Sequence, residues 1–243
     1  MIFIGEPVMA LVIKPPAMLD DFPLMPHSRS KLEMIINGTL PVPGSKSGIL
    51  LYGIYGTGKT TMAKLLPGWL ETAKLTNALQ NTAVSQLIDQ EAPNFNIHSC
   101  AQGQNGSTLM TNIQTQTGYI SWNASNLHYV ILDEVDLLTP AASASLKSIM
   151  NRKDVVFILT TNHLNAIDRG VQDRSVLVDL NAPPTPTWVQ KIKTIYLDSG
   201  LVAPCDQAIA GIVQAGNGSA RNILTDIQIA EAKRNNLTDS IPN

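Results

Sequence analysis

Short apolar runs and longer periodic stretches alternate along this chain. The runs are Gly48-Ile49-Leu50-Leu51-Tyr52, Phe95-Asn96-Ile97-His98, His128 to Glu134, Asp154 to Asn162 and Val176 to Leu180. The continuous apolar character of the His128 to Glu134 run suits a central parallel strand covered on both faces. Elsewhere apolar positions return every three or four residues, as on one face of a helix. Such stretches cover Ser28 to Asn37, with Leu32, Ile35 and Ile36 on one face, then Thr60 to Lys74, Leu75 to Glu91, Thr108 to Gln116 and Pro140 to Asn151. The segment Asn181-Ala182-Pro183-Pro184-Thr185-Pro186 resists helix and central strand alike and reads as a linker. Helical periodicity resumes over Thr187 to Ser199, Asp206 to Ala215 and Ala220 to Arg234. The pattern predicts an α/β core over 48–182, a proline-rich leading segment over 1–47 and a small all-α domain over 187–243.

The junction between the first run and its following helix carries the most specific chemistry. Gly53-Ile54-Tyr55-Gly56-Thr57-Gly58-Lys59-Thr60 is Gly, four residues, Gly-Lys-Thr, in the strand–loop–helix context that a phosphate-binding loop requires. Glycines admit backbone conformations closed to other residues and let N–H groups approach phosphate oxygens. The following helix turns its partial positive end to the same anion. Lys59 supplies a flexible positive charge for the β- and γ-phosphates, and the Thr60 hydroxyl is the expected ligand to Mg²⁺. Tyr55, Gly56, Thr57, Gly58, Lys59, Thr60 and Thr61 are the expected contacts of ATP.

Two later runs end in polar residues. Ligands of parallel sheets bind at the carboxyl ends of the strands, where Asp133 and Glu134 sit. Asp133 is the expected partner of Mg²⁺, and Glu134 the group that orients and deprotonates a water for attack on the γ-phosphate. Thr161 or Asn162, after the next run, offers a hydrogen bond to that water or to the phosphate.

Composition narrows the partners. Hydrophobic residues make up 44% and charged residues 15% of the 243, the balance of a globular chain. A net charge of −2 and a pI near 6.1 argue against a broadly basic nucleic-acid binder, though not against a local patch. Cys100 and Cys205 are too few for a disulfide framework or a zinc site and suit a reducing cytoplasm. No stretch stays apolar for the roughly 20 residues a membrane helix needs. Val8 to Ile13 is short and lacks a basic leader, so the amino terminus is expected to be a packed edge strand or arm.

The run from Leu132-Asp133-Glu134 to Thr139-Pro140-Ala141-Ala142 resembles the Walker B segment of AAA+ ATPases, and within them the sliding-clamp loaders of the replication-factor-C type. Val171-Gln172-Asp173-Arg174-Ser175 resembles their arginine-finger motif, Asn162 falls at sensor 1, and Gly218-Ser219-Ala220-Arg221-Asn222 is similar to sensor 2. Lys14-Pro15-Pro16 with Leu19-Asp20-Asp21-Phe22 is similar to the motif leading into the adenine pocket. The resemblance implies a P-loop AAA+ core with a parallel five-stranded sheet flanked by helices, then an all-α lid. It implies Mg²⁺–ATP hydrolysis in an oligomeric ring of like subunits, with Arg174 serving the neighbour's site and Arg169 as rival. Arg221 would serve from the lid. A sliding clamp and primer–template DNA are the implied partners in DNA replication.

The chain departs from that family in three respects. It ends at Asn243, soon after the lid, where loaders continue into a collar domain, so the expectation is that the collar is absent, that the chain is cut short, or that assembly uses other contacts. Asp173 stands beside Arg174 and could pair with it. No Lys or Arg occurs between Lys74 and Lys147, a window containing the helix that in loaders faces DNA. Ser107, Thr108, Asn112, Gln114 and Gln116 offer neutral hydrogen bonds there, with little counterion release. The alternative is therefore an AAA+ protein remodeller or helicase loader without direct DNA grip. A non-catalytic ATP-binding subunit is disfavoured by the intact Lys59, Asp133 and Glu134.

Overall fold

The computed structural model describes residues 10–75, 93–100, 106–123 and 125–238. Among them, residues 16–181 form one compact unit, and residues 10–15 with 182–238 form another. The segment 16–47 thus belongs to the same unit as the α/β core. The helix expected over Leu75 to Glu91 lies, beyond Leu75, outside the described residues.

The larger unit is built on strands β1 (Gly48–Tyr52), β2 (Phe95–Ser99), β3 (His128–Asp133), β4 (Val155–Thr161) and β5 (Ser175–Asp179). Their order is β2-β3-β4-β1-β5 and every pairing is parallel. Successive side chains alternate between the two faces. Ile49 and Leu51 therefore join one core while Leu50 joins the other. The first core receives Leu32 and Ile35 from α1 (Pro26–Ile36), and Leu66 and Trp69 from α2 (Lys59–Leu75). The second receives Leu109 and Ile113 from α3 (Gly106–Gln116), and Leu146 and Ile149 from α4 (Pro140–Ile149). Burial on both faces explains why β1, β3 and β4 read as largely unbroken apolar runs, while the edge strand β2 is only partly buried and alternates apolar with polar residues. Each fully buried Leu or Ile contributes about 1.5–3 kcal/mol.

Local signals set the helix ends. The Thr139 hydroxyl accepts from the Ala142 N–H at 3.3 Å, with Pro140 opening α4. The short α5 (Arg169–Asp173) is capped by Asp168, which accepts from the Gly170 N–H at 2.7 Å. β4 starts one residue later and stops one residue earlier than its apolar run, and β5 begins at Ser175.

The smaller unit packs α6 (Thr185–Asp198), α7 (Asp206–Ala215) and α8 (Ala220–Thr238) around Trp188, Ile192, Tyr196, Ile209, Ile223 and Ile227. The Tyr196 hydroxyl donates to the buried Glu231 carboxylate at 3.0 Å, and burial followed by that carboxylate pushes the phenol up to about 12. Among the described residues of the amino terminus, Leu11 packs on this cluster and the Val12 N–H donates to Ser199 Oγ at 3.2 Å. These residues form an arm and not an edge strand, since no strand partner takes them up. Among the described residues no helix is long and apolar enough to cross a membrane.

Candidate nucleotide site

The carboxyl ends of β1, β3 and β4 converge on the loop that joins β1 to α2. Gly53 lies at φ 154°, a backbone conformation that side-chain-bearing residues rarely adopt, and a Cβ there would come 2.9 Å from Leu180 and Asn181 backbone atoms. Gly58 lies at φ 93°, where a side chain would be strained, and a Cβ would meet the Phe22 ring at 3.3 Å. Phe22 in turn sits edge-on to Trp69 of α2, with ring centroids 6.2 Å apart. Asn181 holds the loop from the side: its Oδ1 accepts from the Ile54 N–H at 3.0 Å, while its own amide and backbone N–H donate to Asp179 at 2.8 Å.

Lys59 opens α2 and is buried. Its ammonium donates to the Gly53 carbonyl at 2.9 Å and the Ile54 carbonyl at 2.6 Å. A buried cation facing the loop's own carbonyls is suited to take a phosphate as a stronger, charged acceptor. Thr60 follows, its hydroxyl donating to Asp133 Oδ1 at 2.9 Å. Mg²⁺ in nucleotide sites takes one or two protein oxygens and completes its shell with phosphates and water. The adjacent Thr60 hydroxyl and Asp133 carboxylate meet that demand. Tyr55 points outward from the loop, its hydroxyl 3.1 Å from His163 Nε2, and Thr61 is exposed on α2.

Glu134 ends the β3 run in left-handed backbone, φ 59° and ψ 50°. Its half-buried carboxylate makes no hydrogen bond or ion pair among the described residues. Asn162 is likewise without a side-chain hydrogen bond. Thr161 is engaged, donating to Asp136 at 2.7 Å and accepting from the His163 N–H at 2.9 Å. Of the two open candidates, Asn162 is the unencumbered one. Cys100 lies near the same carboxylates; burial first, then Asp133, Asp136 and Glu134, push its thiol up to about 12, so it stays protonated and inert.

Other candidates lie away from this cluster. The backbone carbonyl of Arg174 accepts from the N–H groups of Ser47 and Gly48 at the amino end of β1, while the phosphate loop leaves its carboxyl end. The Arg174 guanidinium donates to Asn151 Oδ1 at 3.1 Å and the Gly170 carbonyl at 3.0 Å, and forms no ion pair with Asp173. Arg169 is exposed and makes no such bond. Arg221 is exposed in the first turn of α8, in the other unit. Several contacts escaped the sequence reading: Phe22 on Gly58, Asn181 on Ile54, and Thr160, whose hydroxyl bonds to Asp133.

The cations beside the neutral helix α3 are already occupied. Lys147 pairs with Asp168 at 3.1 Å, and this bond first, with the capping N–H groups, holds Asp168 below the usual carboxylate range. Arg152 pairs with Asp154 and donates to Thr117 Oγ1 at 2.8 Å, and Lys153 donates to the Gly44 carbonyl. On α3 itself the Thr111 and Thr115 hydroxyls turn back to their own helix at 3.0 Å.

A glycine loop with a buried lysine, facing two strand-end carboxylates across a parallel sheet, defines a P-loop nucleoside triphosphatase. The chain belongs to the ATPase family associated with various cellular activities (AAA), whose profile matches residues 49–179. It is an ATPase by that membership. No curated protein matches it. Among solved structures it is similar to the Thermotoga maritima RuvB Holliday junction branch migration motor, with a TM-score of 0.62 at 18% identity. It is similar also to point variants of that protein, with TM-scores of 0.61 and 0.62 at 18% and 17% identity. The match covers 87% of this chain and 63% of the motor. At this identity the likeness is one of fold.

The expected kinship to sliding-clamp loaders is corrected by these matches, which are to a branch-migration motor. The physical reason lies in the motifs that suggested it. The residues that carry the resemblance, Asp133, Glu134, Arg174 and Arg221, speak for ATP chemistry, which machines acting on different polymers can share. Such motifs report the fuel and not the load.

Proposed function

We propose that the chain is the ATP-hydrolysing module of a self-associating machine that moves or remodels DNA complexes. Residues Tyr55 to Thr61 hold the phosphates of ATP, and Thr60 and Asp133 hold Mg²⁺, which when bound neutralises phosphate charge. Glu134 takes the proton of the attacking water, and Asn162 orients that water or the γ-phosphate. Arg221 supplies positive charge from the lid.

The position of Arg174 is the observation that carries self-association. It precedes β5 at the amino end of the sheet, and the five residues of β1 put about 17 Å between that end and the phosphate loop. An arginine so placed cannot reach the phosphates of its own unit and suits those of a second copy. The anchoring of its guanidinium on Asn151 and Gly170 fixes its direction in advance. The fold likeness to a Holliday junction branch migration motor supports DNA as the load.

The engaged state of Lys147, Arg152 and Lys153 favours a second reading, in which the ring acts on a protein partner or loads a helicase without gripping DNA itself. ATPase rate, measured with single-stranded, duplex and four-way DNA at low and moderate salt, separates the two. Stimulation by DNA in an assembly larger than a monomer supports the first reading. A flat response with all three DNAs sinks it and moves the search to polypeptide partners.

A further inference from the structure

We propose that Thr160 is a positioning residue for hydrolysis, fixing the Asp133 carboxylate and the Glu134 backbone through one hydroxyl. Its Oγ1 donates to Asp133 Oδ1 and accepts from the Glu134 N–H at 3.1 Å. The directions follow from the partners: an ionised carboxylate only accepts and a backbone N–H only donates. The hydroxyl's one proton and one of its lone pairs thus serve consecutive residues. Thr160 is 1% exposed, so water does not readily replace a lost partner.

Each bond restrains something the chemistry uses. Asp133 has two hydroxyl partners, Thr60 and Thr160. Thr60 is the one expected to turn its oxygen to Mg²⁺, which leaves Thr160 as the anchor that keeps the carboxylate aimed. Glu134 occupies left-handed backbone, which a non-glycine residue keeps only when its surroundings hold it there. Thr160 holds its N–H, and the Leu137 N–H holds its carbonyl at 3.0 Å. That backbone sets the direction in which the Glu134 side chain leaves the strand. Thr161, the next residue, serves a different carboxylate, Asp136. The assignment concerns orientation and no contact with phosphate or water.

The inference rests on reading Asp133 as the metal-side carboxylate and Glu134 as the water-side one, and the test separates the two claims. In the full chain, the Mg²⁺ concentration that half-saturates tight binding of a fluorescent ATP analogue is measured beside kcat and KM. Thr160→Val is expected to raise that concentration about tenfold to a hundredfold, as loss of an orienting partner does at metal sites. It is expected to lower kcat more than it changes KM, and Thr160→Ser should restore both. Melting temperature monitors the fold; if the valine melts early, Thr160→Ala removes the same hydroxyl without the added methyl. Wild-type Mg²⁺ dependence and kcat in the folded hydroxyl-free variant, or a serine as impaired as the valine, overturns the proposal. Asp133→Asn is the control. If it shifts the Mg²⁺ dependence and Thr160→Val does not, only the Thr160 role falls; if neither shifts it, the reading of Asp133 falls first.

Discussion

At the scale of the residue, Lys59 and Glu134 have separable duties. Lys59 is a buried ammonium donating to carbonyl acceptors, and its removal takes away charge for the phosphates. Lys59→Ala is expected to weaken ATP binding by at least about tenfold, the worth of one charge-assisted hydrogen bond, read by equilibrium titration. The Glu134 carboxylate makes no hydrogen bond or ion pair among the described residues, so Glu134→Gln should leave both stability and ATP binding near wild type. Turnover should fall about a hundredfold or more, the range for a lost general base; unchanged turnover would remove Glu134 from that role. His98 gives a pH prediction. Burial lowers its pKa, partly opposed by Gln116, and its Nε2 is buried without a partner. The unfolded histidine titrates near about 6.5, above the folded one, so the unfolded state binds the proton first. Its contribution is present above that pH and is lost as pH falls through 6.5 toward the folded value. A melting temperature that drops between neutral and mildly acidic pH, and drops less in His98→Gln, is the expected result. Lys59, Thr60, Asp133 and Glu134 were legible from the sequence because their spacing is local. Thr160 and Asn181 were not, because their partners lie 27 and 127 residues away and only the sheet brings them together.

At the scale of the element, α2 is tied at both ends. Its first turn carries Lys59 and Thr60, and near its far end the buried Glu71 accepts from the Tyr129 hydroxyl at 2.6 Å and from Ser125. Burial, then Glu71, pushes the Tyr129 phenol far up, so it remains a donor at every working pH. This bond fastens the helix of the phosphate loop to the start of the strand that ends in Asp133. Tyr129→Phe leaves a carboxylate oxygen short of one donor and is expected to cost about 1–3 kcal/mol, measured by denaturant unfolding. A smaller loss in the double variant with Glu71→Gln than the sum of the singles would show that the two act as one unit. Strands β1, β3 and β4 were legible because burial on both faces writes a nearly unbroken apolar run. The left-handed turn at Glu134 was not, since nothing in Asp-Glu-Val-Asp announces it; it is imposed by Thr160 and Leu137.

At the scale of the whole molecule, the parallel sheet is, on the proposed reading, the spacer between two halves of one catalytic centre. Phosphate loop and carboxylates leave its carboxyl ends, while Arg174 enters at its amino end. On that proposal a single copy carries a half-site at each end, and the ring completes one with the other. Arg174→Ala should fold and bind ATP yet hydrolyse it slowly, since an arginine supplied from a neighbour contributes about 10³–10⁵ in turnover. Mixing it with Lys59→Ala should restore activity, because the lysine variant still offers an intact Arg174 to the neighbour's working site. Arg169 is the rival: exposed at the start of α5 and without a side-chain bond among the described residues, it competes for the role on freedom, whereas Arg174 competes on fixed direction. If Arg169→Ala shows the defect that mixing rescues and Arg174→Ala does not, the assignment passes to Arg169 with the shared-site architecture intact. If neither is rescued in any mixture, the two ends of the sheet do not meet across copies, and the case for a ring loses the geometric observation on which it stands.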